Sequence, residues 1–428
     1  MSMVRFNEQN EVISEESYRA ILVGLEIGAD ISYSMEELDG LAEAAGATVL
    51  GQMVQSMEKP NTATMIGKGK VEELAQMAQA MEADLIIFND ELSGMQLRNL
   101  EEATGVRVID RTILILDIFA ARATSREGKL QVELAQLKYR LPRLTGFGRS
   151  LSRLGGGIGT RGPGEKKLET DRRHIERRMY DIREELRQLK STRGTQRARR
   201  QKSSVPVVAL VGYTNAGKSA IMNRILAMNG REEKNVFEED MLFATLDVQQ
   251  RGVDLQNGRR FVLIDTVGFV SKLPHSLIEA FKATLEEVVY ADLLLHVVDA
   301  SYENHDFHIA VTERVMKELG AGGKDKIMVF NKCDLPHEQI IMEPGTENIE
   351  LSARTGQGMN QLLKAIEDKL FSGRIKAKLL IPFSRGEVTS YLCEEADVSV
   401  MDYRPEGTYF ELSLKEADYQ RFKEYEII

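Results

Sequence analysis

Cysteine and long apolar runs are scarce in this chain. Its two cysteines, Cys333 and Cys393, are too few for a disulfide framework; a reducing cytoplasmic setting fits them, with Cys333 in a packing role. No apolar run approaches the roughly 18 residues needed to cross a bilayer. The polar, acidic start MSMVRFNEQNEVISEE is also wrong for a signal peptide. We therefore expect a cytoplasmic protein without a membrane span and, by default, a monomer.

Acidic residues outnumber basic ones overall, but positive charge is concentrated in the middle of the chain. The net charge is −10, yet residues 138–204 contain 20 Lys or Arg against 7 Asp or Glu. A basic middle on an acidic chain favours one element that binds a polyanion. The alternative is a solvated helical face.

A chain of 428 residues is too long for one core, so several domains are expected. Alternating strand-like and helix-like segments predict an α/β domain with a largely parallel sheet over residues 1–110. A helical stretch that begins at Arg111 and stops at Pro142, followed by a second helix over about 168–194, predicts a helical hairpin over 111–200. Its tip would be a Gly/Arg-rich loop at 142–167, and residues 195–204 would form a linker. Alternation resumes over 205–373, and residues 376–428 predict a small α+β domain.

The most informative segment is GYTNAGKS, residues 212–219. It lies between an apolar run that predicts a buried strand and an amphipathic segment that predicts a helix, which is the context of a phosphate-binding P-loop. Backbone N–H groups and the helix N-terminus would bind phosphate oxygens. Lys218 would reach the β- and γ-phosphates, and Ser219 would bind Mg²⁺. The predicted binding residues are Gly212, Asn215, Ala216, Gly217, Lys218, Ser219 and Ala220.

Two downstream segments complete a nucleoside triphosphate site. Asp265, at the end of a predicted strand, would hold Mg²⁺ through water, and the Gly268 N–H would bind the γ-phosphate. Thr245 lies between the P-loop and that strand, where a switch residue would sense Mg²⁺ and the γ-phosphate.

Guanine selectivity is predicted from the segment 331–334, Asn331-Lys332-Cys333-Asp334. The Asp334 carboxylate can accept two hydrogen bonds from guanine, whereas adenine lacks that donor pair. The Lys332 stem would cover the ring, and Ser352-Ala353 would offer a backbone N–H to guanine O6. All these motifs follow predicted strands in order, which favours a doubly wound, mainly parallel α/β domain that binds GTP.

Phe269 occupies the position where many such enzymes carry a water-orienting Gln. A phenyl ring cannot hydrogen-bond water, so we expect slow intrinsic hydrolysis and an external activator. Asn215 could also coordinate K⁺ beside the phosphates, although an Asn that tolerates a tight turn explains it equally well.

Two other patterns leave alternatives open. Residues 66–70 could form a second, ATP-binding loop, but they lack the P-loop spacing and favour a turn before a helix. His305 and His308 could bind a metal, or they could lie on a solvated helix face.

With these residues in view, the chain resembles the HflX-type GTPases along nearly its whole length. The resemblance includes the P-loop, the switch segment 243–247 and Asp265–Phe269. Outside them it includes IGKGK at 66–70 and GGGIGTRGPGE at 155–165. Other GTPases lack the glycine segment at 155–165.

The resemblance implies a ribosome-associated GTPase that binds the large subunit and splits or rescues stalled ribosomes. The hairpin loop would approach ribosomal RNA, and its predicted RNA contacts are Arg149, Arg153, Arg161, Lys166 and Lys167. The alternative for this loop is a flexible basic linker. Alternative functions are subunit assembly, tRNA modification or an RNA-binding module with a vestigial nucleotide site.

The chain departs from the family pattern at Lys166-Lys167, at Ala220 and at Gly94. No nucleotide-site residue is lost. These departures suggest a divergent paralogue, for example one that protects ribosomes from antibiotics.

Overall fold

The computed structural model describes the chain except residues 1–16, 145–162, 203–204, 231–242, 244–248, 256–258, 273–284, 286, 338–344, 372–373 and 428. It divides into two compact units. The first unit comprises Met1–Gln188, Glu239–Asp247 and Val270–Ala283, and the second comprises Leu189–Glu238, Val248–Phe269 and Thr284–Ile428.

The first unit contains a four-stranded sheet in the order β2-β1-β3-β4, and every neighbouring pair is parallel. Helices follow the strands in βαβ fashion, so the predicted small α/β arrangement is confirmed. The apolar run of β3 is buried throughout, as expected for a parallel strand covered on both faces. The elements are β1 (Tyr18–Glu26), α1 (Ser32–Ala44), β2 (Ala47–Ser56), α2 (Lys68–Ala80), β3 (Leu85–Phe88), α3 (Gly94–Thr104) and β4 (Arg107–Asp110).

The helical region differs from the sequence prediction in its boundaries. It contains α4 (Arg111–Arg122), α5 (Arg126–Leu144) and α6 (Pro163–Lys202). Asp110 caps α4, because its carboxylate accepts from the Ile113 N–H at 3.0 Å. The predicted single stretch breaks after Arg122, where the Ser125 hydroxyl accepts from the Gly128 N–H and starts a new helix.

The helix ends also need correction. Pro142 does not stop α5, which continues to Leu144, because a proline so near the end removes only one helical hydrogen bond. Helix α6 covers most of the predicted linker 195–204 and part of the predicted loop 142–167. The segment 145–162 lies outside the described residues.

Helices α5 and α6 form the predicted antiparallel pair. Arg126 near the start of α5 pairs with Glu185 of α6. Glu133 lies seven residues later in α5, and its partner Arg178 lies seven residues earlier in α6, so the two helices run in opposite directions. Met179 and Ile182 of α6 are buried.

The second unit contains a six-stranded sheet in the order β10-β9-β8-β5-β7-β6. All neighbours are parallel except the antiparallel pair β6 and β7. Strand β5 lies between β7 and β8. The loop after β5 therefore leaves the carboxyl edge of the sheet at the point where the neighbouring strands continue on opposite sides of β5, which is where ligands bind in open α/β sheets. The elements are β5 (Val207–Gly212), α7 (Lys218–Met228), β6 (Gln249–Asp254), β7 (Arg260–Asp265), β8 (Leu293–Asp299), α8 (His305–Glu318), β9 (Lys326–Asn331), β10 (Glu347–Glu350) and α9 (Met359–Phe371).

A three-stranded antiparallel sheet in the order β11-β13-β12 follows, also within the second unit. Its strands pack against two helices around Leu379, Leu392 and Phe410, which confirms the predicted α+β arrangement. The elements are β11 (Arg374–Ile381), α10 (Gly386–Glu395), β12 (Asp397–Arg404), β13 (Gly407–Lys415) and α11 (Glu416–Phe422). None of the described helices is long and apolar enough to span a membrane.

Candidate nucleotide site

The loop between β5 and α7 has the backbone form that a phosphate cradle needs. Gly212 and Gly217 have φ of +149° and +88°, and an added Cβ would overlap Val297 O or Asn331 Nδ2. Only glycine fits both positions. Asn215 adopts the left-handed region with φ +60°, which asparagine tolerates. The turn role predicted for Asn215 is therefore present, while the potassium hypothesis stays a prediction.

Lys218 begins α7 and is buried beneath this loop. Its Nζ donates to the carbonyl oxygens of Gly212 at 3.2 Å and Tyr213 at 2.7 Å. Burial lowers the pKa of Lys218 to about 8, and nearby Asp265 opposes that shift. A phosphate beside Nζ would stabilise the charged ammonium and raise the pKa again.

Ser219 and Asp265 form an oxygen-donor pair under the loop. The Ser219 hydroxyl donates to Asp265 Oδ2 at 2.6 Å, and Asp265 is fully buried at the end of β7. A hydroxyl and a carboxylate match the hard oxygen ligands that Mg²⁺ prefers. The third predicted metal residue, Thr245, lies outside the described residues.

Gly268 and Phe269 bring the segment after β7 against the P-loop. A Cβ on Gly268 would lie 2.7 Å from Thr214 Cα and 2.9 Å from Lys218 Nζ. Phe269 exchanges backbone hydrogen bonds with the loop: its N–H donates to Gly212 O at 3.1 Å, and its carbonyl accepts from the Thr214 N–H at 2.8 Å. The Phe269 side chain is 2% exposed, so it belongs to the apolar interior and presents no polar group to water.

The predicted base-recognition residues are also brought together. Asn331 links two loops: its Nδ2 donates to Ala216 O at 2.9 Å, and its Oδ1 accepts from the Ala353 N–H at 3.0 Å. Asp334 accepts from the Ser352 hydroxyl at 2.7 Å. The hydrogen bond from this hydroxyl is the main cause that lowers the pKa of Asp334, so the carboxylate stays ionised.

Two details of the base site refine the sequence prediction. The Ala353 N–H, expected to serve guanine O6, donates to Asn331 and would have to be shared with a base. Lys332 has φ +66° and its Nζ lies 2.8 Å from Asp299, a carboxylate not identified from sequence.

Ala220, in the first turn of α7, packs against the core of the second unit.

The first unit contains a buried charged cluster that was not predicted from the sequence. Arg111 pairs with Glu37, and both side chains are 3% exposed. Arg111 Nη2 donates to Ser271 O at 3.2 Å, and the Ser271 hydroxyl donates to Glu37. Ser271 follows Phe269 by two residues, so this cluster fixes the chain immediately downstream of the predicted γ-phosphate loop. Its members are far apart in sequence, and no local pattern joins them.

The remaining predictions have mixed outcomes. Arg149, Arg153 and Arg161 lie outside the described residues, while Lys166 and Lys167 lie in the first turns of α6. Gly67 precedes α2 in an extended conformation as its N-cap, as expected for a turn before a helix.

The two histidines of α8 do not lie on a solvated face. The His308 ring stacks on Tyr213 at 3.8 Å between ring centroids and on Tyr302 at 4.6 Å. Within the described residues, the potential metal cluster lies elsewhere, at Cys333, His337 and Glu350.

Comparison with known proteins identifies the family. The model described as GTP-binding GTPase N-terminal matches residues 32–120, GTP-binding GTPase Middle Region matches 122–200, and 50S ribosome-binding GTPase matches 207–332. The GTPase HflX of Caldanaerobacter subterraneus subsp. tengcongensis is 50% identical over 397 residues, which cover 93% of this chain and 91% of that protein. The chain belongs to the GTPase HflX family.

Other relatives agree. The GTPase HflX of Escherichia coli K12 is 42% identical over 361 residues, covering 83% of each chain. A GTP-binding protein from Sulfolobus solfataricus, solved with GDP, is 22% identical, and the match covers 82% of this chain and 98% of that chain with a TM-score of 0.44. Membership of the GTPase HflX family makes this chain a GTPase that hydrolyses GTP to GDP and phosphate.

Proposed function

We propose that this GTPase binds the large ribosomal subunit in its GTP state and dissociates or rescues stalled ribosomes, and that the ribosome stimulates its hydrolysis. The observation that carries the proposal is the match of residues 207–332 to a family described as 50S ribosome-binding GTPase. The buried Phe269 supports it, because a site without a water-orienting side chain at this position requires help from a partner.

In this proposal the P-loop residues bind the phosphates of GTP. Lys218 exchanges its carbonyl partners for the β- and γ-phosphates, and the N–H groups at the start of α7 add donors. Mg²⁺ held by Ser219 and Asp265, with Thr245, would neutralise charge that develops between the phosphates. Gly268 offers its N–H to the γ-phosphate because it lies beside Lys218 Nζ.

The base end of the site selects guanine. Asp334 accepts from the two guanine donors, while Asn331 holds the P-loop and the Ser352-Ala353 turn in position. Lys332 covers the ring. K⁺ beside Asn215 is a further element of the proposal, and it would add positive charge near the phosphates.

The basic helix α6 supports contact with RNA. Residues 163–202 carry 14 Lys or Arg against 7 Asp or Glu, and basic side chains are the main source of affinity for a phosphate backbone. Arg149, Arg153, Arg161, Lys166 and Lys167 are the proposed RNA contacts at the hairpin tip.

Sedimentation through a density gradient tests the proposal. The protein is mixed with intact ribosomes or large subunits in the presence of a non-hydrolysable GTP analogue or GDP. We expect it to co-migrate with the large subunit in the analogue and to convert intact ribosomes to subunits. Lys218→Ala, which loses the phosphate-binding ammonium, is the control and should remain at the top. Migration with the small subunit would indicate a role in subunit assembly instead, and migration with neither subunit would reject ribosome binding.

A further inference from the structure

Three metal-binding side chain types meet beside the base-recognition loops of the second unit. Cys333, His337 and Glu350 each present one ligand atom, and these atoms all lie within 4.8 Å of one another. None of the three has a role in the proposed nucleotide site. Cys333 was expected only to pack, but it lies within reach of an imidazole and a carboxylate.

The backbone fixes two of these ligands independently of any metal. Strands β9 and β10 pair in parallel, with Glu350 opposite Phe330. The Cys333 N–H donates to Leu351 O at 3.2 Å, and its Sγ lies 3.3 Å from Phe330 O. Leu351, the residue after Glu350, is thus hydrogen-bonded directly to Cys333. The pairing of β9 with β10 therefore keeps the Cys333 thiol close to the Glu350 carboxylate. Such pre-organisation lowers the cost of assembling a site.

The electrostatic environment of the thiol favours a cation. Burial raises the pKa of Cys333, and the carboxylates of Glu350, Asp334 and Asp299 raise it further. The same negative charges that oppose a bare thiolate would stabilise a divalent ion, which in turn would stabilise the thiolate.

We propose that Cys333, His337 and Glu350 form a zinc site with three protein ligands and a fourth position open to water. Thiolate and imidazole ligands select Zn²⁺ over Mg²⁺, which prefers oxygen. Zinc–ligand bonds of about 2.0–2.3 Å require the three ligand atoms to close by roughly one ångström, which side-chain rotation can supply. Binding releases the thiol proton to solvent.

The zinc site would connect the two loops that recognise the base. Asp334 directly follows Cys333, and Ser352, whose hydroxyl donates to Asp334 at 2.7 Å, follows Glu350 by two residues. An ion bound to Cys333 and Glu350 therefore fixes the loop of Asp334 relative to the turn of Ser352. Bound zinc should then tighten GDP binding, a consequence that rests on the proposed guanine role of Asp334.

Cobalt substitution tests the site itself on the full-length protein. Co²⁺ bound to a thiolate gives a sulfur-to-metal charge-transfer absorption, and we expect this band at one Co²⁺ per protein, with Zn²⁺ displacing it. The band should vanish in Cys333→Ser, weaken in His337→Ala and persist in the matched control Cys393→Ser, which removes the other, exposed cysteine. Absence of the band, or its persistence in Cys333→Ser, would overturn the proposal.

GDP affinity, measured with a fluorescent GDP analogue with and without Zn²⁺, tests the linkage. We expect Zn²⁺ to tighten binding at least about fivefold in the wild type and in Cys393→Ser, but not in Cys333→Ser. Equal affinity with and without Zn²⁺ in a protein that shows the cobalt band would overturn the connection between the loops. If the protein bound no GDP under any condition, the proposed function would fail, while the cobalt band would still decide the metal site.

Discussion

At the residue scale, we expect Lys218 to link nucleotide binding to pH. Its pKa is lowered to about 8 in the free protein, and bound phosphates should raise it. Binding therefore takes up a proton when the pH is above 8, and GDP affinity should fall by up to about tenfold per pH unit as pH rises through that value. Calorimetry in two buffers of different ionisation enthalpy would measure the proton uptake.

Lys218→Arg is the matched control for this prediction. Arginine stays charged over the whole range, so its GDP affinity, although weaker, should not follow the same pH dependence. Proton release on binding at pH 8 in the wild type would contradict the account.

Phe269 is buried in the interior, and it directly follows Gly268, the proposed γ-phosphate contact. Because its ring is buried, Phe269→Gln should cost about 2–4 kcal/mol of unfolding free energy and should not increase basal GTP hydrolysis. Phe269→Leu, which keeps the position apolar, should lose less stability. A rise in basal turnover in Phe269→Gln of a hundredfold or so, the scale expected for a missing catalytic group, would show that the side chain can reach the γ-phosphate.

Asp334 is the residue that we propose to determine the choice of base. Asp334→Asn replaces a carboxylate that only accepts hydrogen bonds by an amide that also donates, so GDP affinity should fall by about a hundredfold. Xanthosine diphosphate carries an acceptor in place of the guanine amino group, so this nucleotide should bind the variant better than it binds the wild type. Competition between the two nucleotides measures this exchange. An unchanged preference for guanine would exclude the assigned role of Asp334.

The sequence predicted much of this site because each motif directly follows a buried strand of one parallel sheet. Gly212, Asp265 and Asn331 are the last residues of β5, β7 and β9, so their proximity follows from topology. The use of the Ala353 N–H by Asn331 and the pairing of Lys332 with Asp299 could not be predicted, because they depend on side-chain distances between loops.

At the element scale, the chain after Phe269 is held by charges of α1 and α4. Glu37 and Arg111 are buried, so Glu37→Leu would leave a buried guanidinium without its carboxylate and should cost about 3–5 kcal/mol. Hydrogen exchange of the α1 and α4 peptides would locate the loss.

Two further variants make this prediction specific. Glu37→Leu combined with Arg111→Met should recover part of the loss, because neither charge is then buried alone. Glu82→Gln, which alters the exposed pair of Arg19 and Glu82, should change stability by less than about 1 kcal/mol. An equal loss in both single variants would contradict a special role for the buried pair.

Helix ends were the least predictable elements. The break between α4 and α5 depends on the Ser125 cap, and a serine near an apolar face is too common to indicate a boundary by itself. Helix α6 continues to Lys202 through residues that looked like a linker because they are polar and basic. Charged residues such as Lys and Arg are good helix formers, so composition alone did not distinguish a helix from a linker here.

At the scale of the whole molecule, we propose that a slow nucleotide site works together with a basic helical element. The GTPase activity follows from the family, and the partner is inferred from the 50S-binding description of the matched family and from the charge of α6. We expect hydrolysis to depend on that partner, because the described nucleotide site has an apolar side chain at position 269.

The most direct test is the rate of GTP hydrolysis as purified large ribosomal subunits are titrated into the protein. We expect slow turnover alone and stimulation of at least about a hundredfold at saturation, with no stimulation by small subunits. Ser219→Ala, which loses a predicted Mg²⁺ ligand, should remain inactive in both conditions. Rapid turnover without subunits, or a rate unchanged by large subunits, would contradict the account.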